Sequence, residues 1–447
     1  MSFPEYQHYR RSGAAWISNL PTNWRIAALK WVARRYAGGT PDKTKADYWT
    51  AGTIPWLNSG SVNQRLITEA SEYITEDAYS HSSARWVPEG ALVMALAGQG
   101  KTKGMVAQLA FSATCNQSMA AIVPLADINS RYLFWWLDAQ YQNIRNLAGG
   151  DLRDGLNLEL LGQIPCPIPT SDEQLSIASF LDRETTKIDA LVADQERLIE
   201  LLDEKRQAVI AHAVTKGLDR AVILVDSGVE WLGKVPAHWK IGRCGFYVSI
   251  LSGFAFPSSG FKSNEEGVRL LRGVNVGVGK IRWDDTVSWC REESDGLDDF
   301  VLKVGDLVIG MDRPFIGEGM RVARVGPSDV PCLLLQRVAS ITTHAGLNSD
   351  YLMYLISSAI FVAYFSPITT GVSVPHISPK QISDFKIPIP SEREQAEIVS
   401  FLTDELEKLD QLTRLCHQSI EKLAERRSTL ISAAVTGQID VRQLEAT

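Results

Sequence analysis

A chain of 447 residues exceeds one ordinary core, so two to four domains are expected, and its 45% hydrophobic and 22% charged side chains are the balance of a globular protein. No uninterrupted apolar run approaches the ~20 residues of a membrane helix, and the opening MSFPEYQHYRRSG lacks an apolar signal segment, which predicts a cytoplasmic protein. The six cysteines (Cys115, Cys166, Cys244, Cys290, Cys332, Cys416) form neither a CxxC pair nor a zinc-finger spacing, so no disulfide framework or structural metal is predicted, and the net charge of −7 is unlike that of a simple nucleic-acid binder.

The first element is an arm, Ser12 to Ile26, reading SGAAWISNLPTNWRI. An insert follows in which residues 27–160 carry 12 basic and 12 acidic side chains, so the chain's acidity lies elsewhere. Short apolar runs punctuated by Gly and Pro, such as ALVMAL (Ala91 to Leu96), predict strands, and Arg131 to Leu147 predicts an amphipathic helix whose Trp135 and Trp136 read as core. Between them, ALAGQGKT (Ala95 to Thr102) fits a loose Walker A pattern with Ala in place of the first Gly. Gly104 stands where the phosphate-capping helix would begin, which weakens a nucleotide-binding reading built on Lys101 without removing it.

The insert ends in Pro-Ile-Pro, and Thr170 and Ser171 then open a long acidic helix, with 6 basic against 11 acidic residues over 170–219. Leu181, Ile188, Leu202 and Val209 recur at heptad spacing, flanked by a second row of Ile177, Leu191 and Leu198. Then the chain begins again. Ser227 to Ile241 (SGVEWLGKVPAHWKI) repeats the arm at an offset of 215, and residues 242–381 form a second near-neutral insert with 13 basic and 14 acidic residues. Its strand-like runs are LVIGM (Leu307 to Met311) and MRVARV (Met320 to Val325), and its amphipathic helix runs from Ser349 to Phe365, with Tyr351 and Tyr354 read as core.

From Phe385 the closing block returns at an offset of 221, pairing Pro167 with Pro388, Gln174 with Gln395, Phe180 with Phe401 and Asp189 with Asp410. Leu402, Leu409, Leu423 and Leu430 repeat the first heptad row, with Ile398 and Leu412 on the second, while Gln195 and Cys416 interrupt the seam at matching places. The framework therefore repeats well and the inserts poorly. The divisions expected are 1–160 (arm and first insert), 161–219 (long helix), 220–381 (second arm and insert) and 382–447 (second long helix).

A narrow apolar seam on a charged helix needs a partner, and the two helices supply one for each other. The prediction is antiparallel pairing of 171–215 with 392–436, with the inserts at opposite ends. About 35 residues make each helix roughly 50 Å long, more than one turn of DNA. The fold class expected is α/β (α+β): two mixed α/β domains separated by a pair of antiparallel coiled-coil helices in a pseudo-twofold internal repeat.

The unit SG-x-x-W-x-x-x-x-P-x-x-W, insert, Pro-Ile-Pro and Glu-Gln-containing helix, present twice, resembles the specificity subunit of type I restriction-modification systems. SGFAFPSSGF (Ser252 to Phe261) and GVRLLRGVNVGVGKIRW (Gly267 to Trp283) are similar to the opening of that family's target recognition domains, as are GGTP (Gly38 to Pro41) and IPWLNSGSV (Ile54 to Val62) in the first insert. The resemblance implies a non-catalytic DNA-binding chain whose two inserts each read half of a bipartite site, with the helices fixing the spacer. It also implies two methylation subunits, which use S-adenosylmethionine, and restriction subunits that use ATP and Mg. The absence of a [DNS]PP[YFW] motif and of a GxGxxG strand-helix junction agrees with catalysis lying in other chains.

On this reading the glycine-rich loop carries Lys101 and Lys103 toward DNA. The candidate contacts are Asn58, Ser59, Gln99, Lys101 and Lys103 in the first insert, and Arg272, Asn275, Lys280 and Arg313 in the second, because such side chains read base edges or phosphates from loops. A nucleotide-hydrolysing enzyme using Lys101 and a solitary DNA-binding regulator remain as alternatives.

Overall fold

The computed structural model describes residues 3–98, 100–148, 155–263, 267–316, 319–368 and 375–444. The chain divides into two units, one of Met1–Gln195 with His417–Thr447 and the other of Glu196–Cys416. Each unit thus holds one arm, one insert, the first part of one long helix and the last part of the other.

In the first unit, arm strand Arg25–Ala28 pairs antiparallel with Pro165–Ile168 and closes the insert at its base; in the second, Lys240–Arg243 does the same with Lys386–Ile389. Prolines sit in both closing strands, which is tolerated because these are two-stranded ladders whose outer edges need no further donors.

The inserts differ in sequence but share a topology. The first contains a sheet ordered Ala33–Ala37, Met119–Pro124, Leu92–Ala95, Val106–Leu109 and Leu66–Ile67. The second repeats the first four positions with Val248–Ser252, Val338–Thr343, Leu307–Gly310 and Val322–Arg324. A smaller sheet accompanies each. Ile54–Leu57 runs parallel to Thr114–Cys115 and antiparallel to Glu72–Ile74, while Val268–Leu271 runs parallel to Cys332–Leu334 and antiparallel to Ser288–Trp289. The central strands are buried on both faces, Leu92 and Met94 facing one core and Val93 and Ala95 another, and this burial survives divergence because it needs only hydrophobicity, not identity.

Each predicted aromatic helix is broken in two, Ser130–Ala139 and Tyr141–Asn146 at Gln140, and Ser349–Ser357 and Ala359–Phe365 at Ser358, the latter with a bend of 63°. Trp135, Trp136 and Tyr351 are buried as expected, whereas Tyr354 is only partly buried and places its hydroxyl 3.3 Å from that of Thr403. Each helix is tied to the framework in the same way. Gln174 accepts from the Asn129 N–H at 2.7 Å and donates to Asp127 and Pro169 carbonyls; Gln395 accepts from Asn348 at 2.7 Å and donates to Gly346 and Pro390. Both glutamines are buried and fully used, so the matching Gln of the two repeats is a structural clamp. Tyr132 and Tyr351 act likewise, donating to the carbonyls of Pro167 and Pro388 at 3.0 and 3.2 Å.

The long helices are Ser171–Lys216 and Glu392–Val435, 46 and 44 residues. Reciprocal bonds between Thr170 and Glu173, and between Ser391 and Glu394, form a capping box at each start. Left-handed Gly217 and Gly437 end them, packed against Trp239 and against Pro21 and Trp24, so each helix stops on the tryptophan of an arm. Within each unit the start of one helix packs on the end of the other, which is the predicted antiparallel sense: Ile177, Leu181 and Ile188 meet Leu430 and Ile431, while Leu202 and Ile210 meet Leu402, Leu406 and Leu409.

The first heptad row is buried or partly buried along both helices, but the second row departs from expectation, since Leu191, Leu198 and Leu412 are exposed. A coiled coil buries both rows in one seam, so in mid-helix the two helices meet along the first row only. Among the described residues no single helix is long and apolar enough to cross a membrane.

Candidate nucleic-acid interface

The Walker-like segment lies in a hairpin. Strand Leu92–Ala95 pairs antiparallel with Val106–Leu109, so the loop over 96–105 leads into a strand and not into the helix that a phosphate-binding loop requires. Tyr141 Oη donates to the Lys101 carbonyl at 2.5 Å and Arg145 to the Lys103 carbonyl at 3.5 Å, which fastens the loop to helix Tyr141–Asn146. Lys101 is exposed. Lys103 is only 2% exposed, which corrects its placement on an outward loop: the hairpin register turns its side chain inward. Gln99 lies outside the described residues.

Asn58 caps a 3-10 turn, Ser59–Gln64, by accepting from the Gly60 N–H at 2.8 Å, and Ser59 is the first residue of that turn. Asn58 is exposed and Ser59 partly so. The second insert has the matching turn, Gly273–Asn275, after strand Val268–Leu271. Here Asn275 is 1% exposed, accepts from Arg272 N–H at 3.0 Å and donates to the carbonyls of Arg282 and Asp285. Its hydrogen-bonding capacity is spent inside the fold, so it is a turn-builder and not a base reader, a correction to the sequence expectation. Arg272 is partly buried and paired with Asp285 at 2.9 Å, while Lys280 and Arg313 are exposed.

Sequence reasoning missed two arginines. Arg65 follows the first turn with φ +54°, and Arg337 precedes strand Val338–Thr343 with φ +73°. Arg65 reaches Asp138 at 3.9 Å, and burial raises the Asp138 carboxyl above its ordinary range. Arg337 reaches Asp312 at 3.6 Å, whose other oxygen lies 2.7 Å from His376 Nδ1. The one available signal was register, because Arg65 stands at the offset of 215 from Lys280.

Arg65, Lys101, Asp138, Tyr141 and Arg427 line a groove of about 570 Å³ in the first unit. In the second, Arg313, Arg337, Asp312 and His376 gather where three segments meet, with Arg313 N–H donating to Pro375 O at 2.7 Å and Met311 N–H to Arg337 O at 2.8 Å. Among the described residues no His, Cys, Asp and Glu cluster has the makings of a metal site. Both inserts therefore present cations from turns and hairpin loops on a fixed sheet, an arrangement suited to binding polyanions.

The family model described as Type I restriction modification DNA specificity domain matches residues 21–201 and 262–424. The MjaVIII specificity subunit of Methanocaldococcus jannaschii is 28% identical over 315 residues, 70% of this chain and 71% of the relative. The MjaIX specificity subunit of the same organism is 22% identical, with 96% of each chain covered. Among solved structures, one described as the structural basis underlying complex assembly and conformational transition of the type I R-M system aligns with a TM-score of 0.69 at 18% identity, covering 94% of this chain and 99% of the other. The HsdS subunit from Thermoanaerobacter tengcongensis aligns at 0.54 and 16% identity, over 94% and 98%.

Proposed function

The chain belongs to the type I restriction modification DNA specificity family, and from that premise we propose that it reads a bipartite DNA site, one half with each insert. It is a non-catalytic specificity subunit. The observation that supports two-part reading most is one sheet topology built twice with different loop chemistry, Lys101 and Arg65 in one copy and Lys280, Arg313 and Arg337 in the other. A shared scaffold with divergent loops is how one framework addresses two unrelated sequences.

The paired helices set the spacer between half-sites. Two copies of a methylation subunit dock on the framework, and restriction subunits join them; S-adenosylmethionine, ATP and Mg serve those partners. Matched exposed apolar residues favour two equivalent docking points: Trp31 and Phe246, at the same repeat position, are 70% and 75% exposed, and Leu191 and Leu412 are exposed at another. Mapping methylated adenines in genomic DNA with and without this chain tests the reading. One bipartite motif disappears with the chain; a motif that persists without it overturns the proposal.

A further inference from the structure

Six non-glycine residues take a positive φ among the described residues, and three are arginines: Arg65, Arg313 and Arg337 at +54°, +45° and +73°. The left-handed region is costly for a residue with a long side chain and favours Gly, Asn and Asp. All three lie in the inserts, Arg65 after the turn Ser59–Gln64, Arg313 after strand Leu307–Gly310 and Arg337 before strand Val338–Thr343. Their backbones are held by hydrogen bonds from the fold, Arg65 O accepting from Gln108 N–H at 2.8 Å and Arg337 O from Met311 N–H at 2.8 Å.

Each insert holds one such arginine beside an aspartate. The two arginines stand at positions that do not correspond in the repeat, yet in each insert the strained arginine is tethered by one long ion pair to an aspartate, Arg65 to Asp138 at 3.9 Å and Arg337 to Asp312 at 3.6 Å, beside a second exposed cation, Lys101 or Arg313. Neither pair is bidentate, and the Arg65 and Arg337 side chains are 42% and 60% exposed, so a guanidinium is aimed outward without being consumed by its partner. Strain of this kind persists only where the surrounding structure fixes it, and it clusters at sites that need a defined geometry.

We propose that Arg65 and Arg337 each read a guanine edge, one in each half-site, with Lys101 and Arg313 contacting the adjacent backbone. The forked guanidinium matches the paired acceptors of guanine in the major groove, and the rigid turn sets its register. A phosphate contact, by contrast, accepts any cation and needs no such fixed backbone. This rests on the bipartite reading given above.

The test uses the full chain expressed with its methylation partners, with methylated-motif mapping of Arg65→Gly, Arg65→Lys, Arg337→Gly and Arg337→Lys. Glycine removes the side chain while suiting the left-handed backbone, and lysine keeps the charge but loses the fork. Each pair of variants relaxes one guanine position in its own half-site, raising methylation at the wrong base roughly tenfold or more, and lysine does not restore it. The other half-site is unchanged.

Wild-type motifs from all four variants overturn the inference. So does a uniform loss at every site that lysine rescues, which marks phosphate contacts only. If a glycine variant does not fold, the lysine variant, whose backbone is unaltered, decides alone. If the wild-type chain yields no bipartite motif, the functional reading fails first and this one with it; if it does, a failure here is specific to these arginines.

Discussion

Arg427 donates to Asp189 at 3.0 Å, and the same two positions of the repeat, Arg206 and Asp410, form the reciprocal pair. Each pair joins an aspartate of one repeat to an arginine of the other, and both correspond at the offset of 221. The antiparallel register of the long helices is therefore marked by charge as well as by the apolar seam.

Reversing one charge of the first pair with Asp189→Arg leaves Arg427, which is largely buried and lies over Trp135, beside a like charge. The expected cost is about 1 kcal/mol, read as a fall of roughly 2–4 °C in the melting temperature. Adding Arg427→Asp restores most of the loss. A double variant no more stable than its singles would remove the pair from the register argument.

Acid should loosen the second unit at Glu394. Burial acts to raise this carboxyl, but hydrogen bonds from His238, Ser391 and Trp239 outweigh it and hold the group at about 2. A depressed carboxyl contributes stability above the ordinary glutamate range, and the contribution fades as pH falls from about 4 toward 2. The melting-temperature difference between wild type and Glu394→Gln is thus full at pH 7 and shrinks toward pH 3. A difference independent of pH would contradict this account.

Thiol labelling offers a direct probe of the two inserts. Burial pushes Cys115, Cys166, Cys244 and Cys332 up to about 12, and Cys416 is also buried, whereas Cys290 is exposed. One equivalent of maleimide should react quickly with the native chain, at Cys290, and the other five thiols only on unfolding. Rapid loss of more than one thiol would contradict the burial of the other five.

Much of the architecture was legible because its signals are periodic or repeated. The Trp-Pro-Trp arms, the Pro-Ile-Pro closing strands and the first heptad row are local patterns, and all lie where the sequence placed them. Leu191, Leu198 and Leu412 misled because a heptad position says that a residue is apolar, not that a partner covers it. The contacting residues were harder. Asn275 looked like a base reader, yet it is itself buried and carbonyls seven and ten residues downstream take up its amide. Arg65 and Arg337 stand out by a backbone dihedral that no residue string encodes.

If the inserts read and the helices measure, the two functions can be separated by changing helix length alone. Deleting Glu196 to Ile199 together with His417 to Ile420 removes about one turn from each helix and keeps the Asp189–Arg427 and Arg206–Asp410 pairs. Motif mapping of this double deletion should return both half-sites unchanged and a spacer shorter by about two base pairs, from a loss of roughly 6 Å of helix. Altered half-sites with the original spacer would contradict that separation.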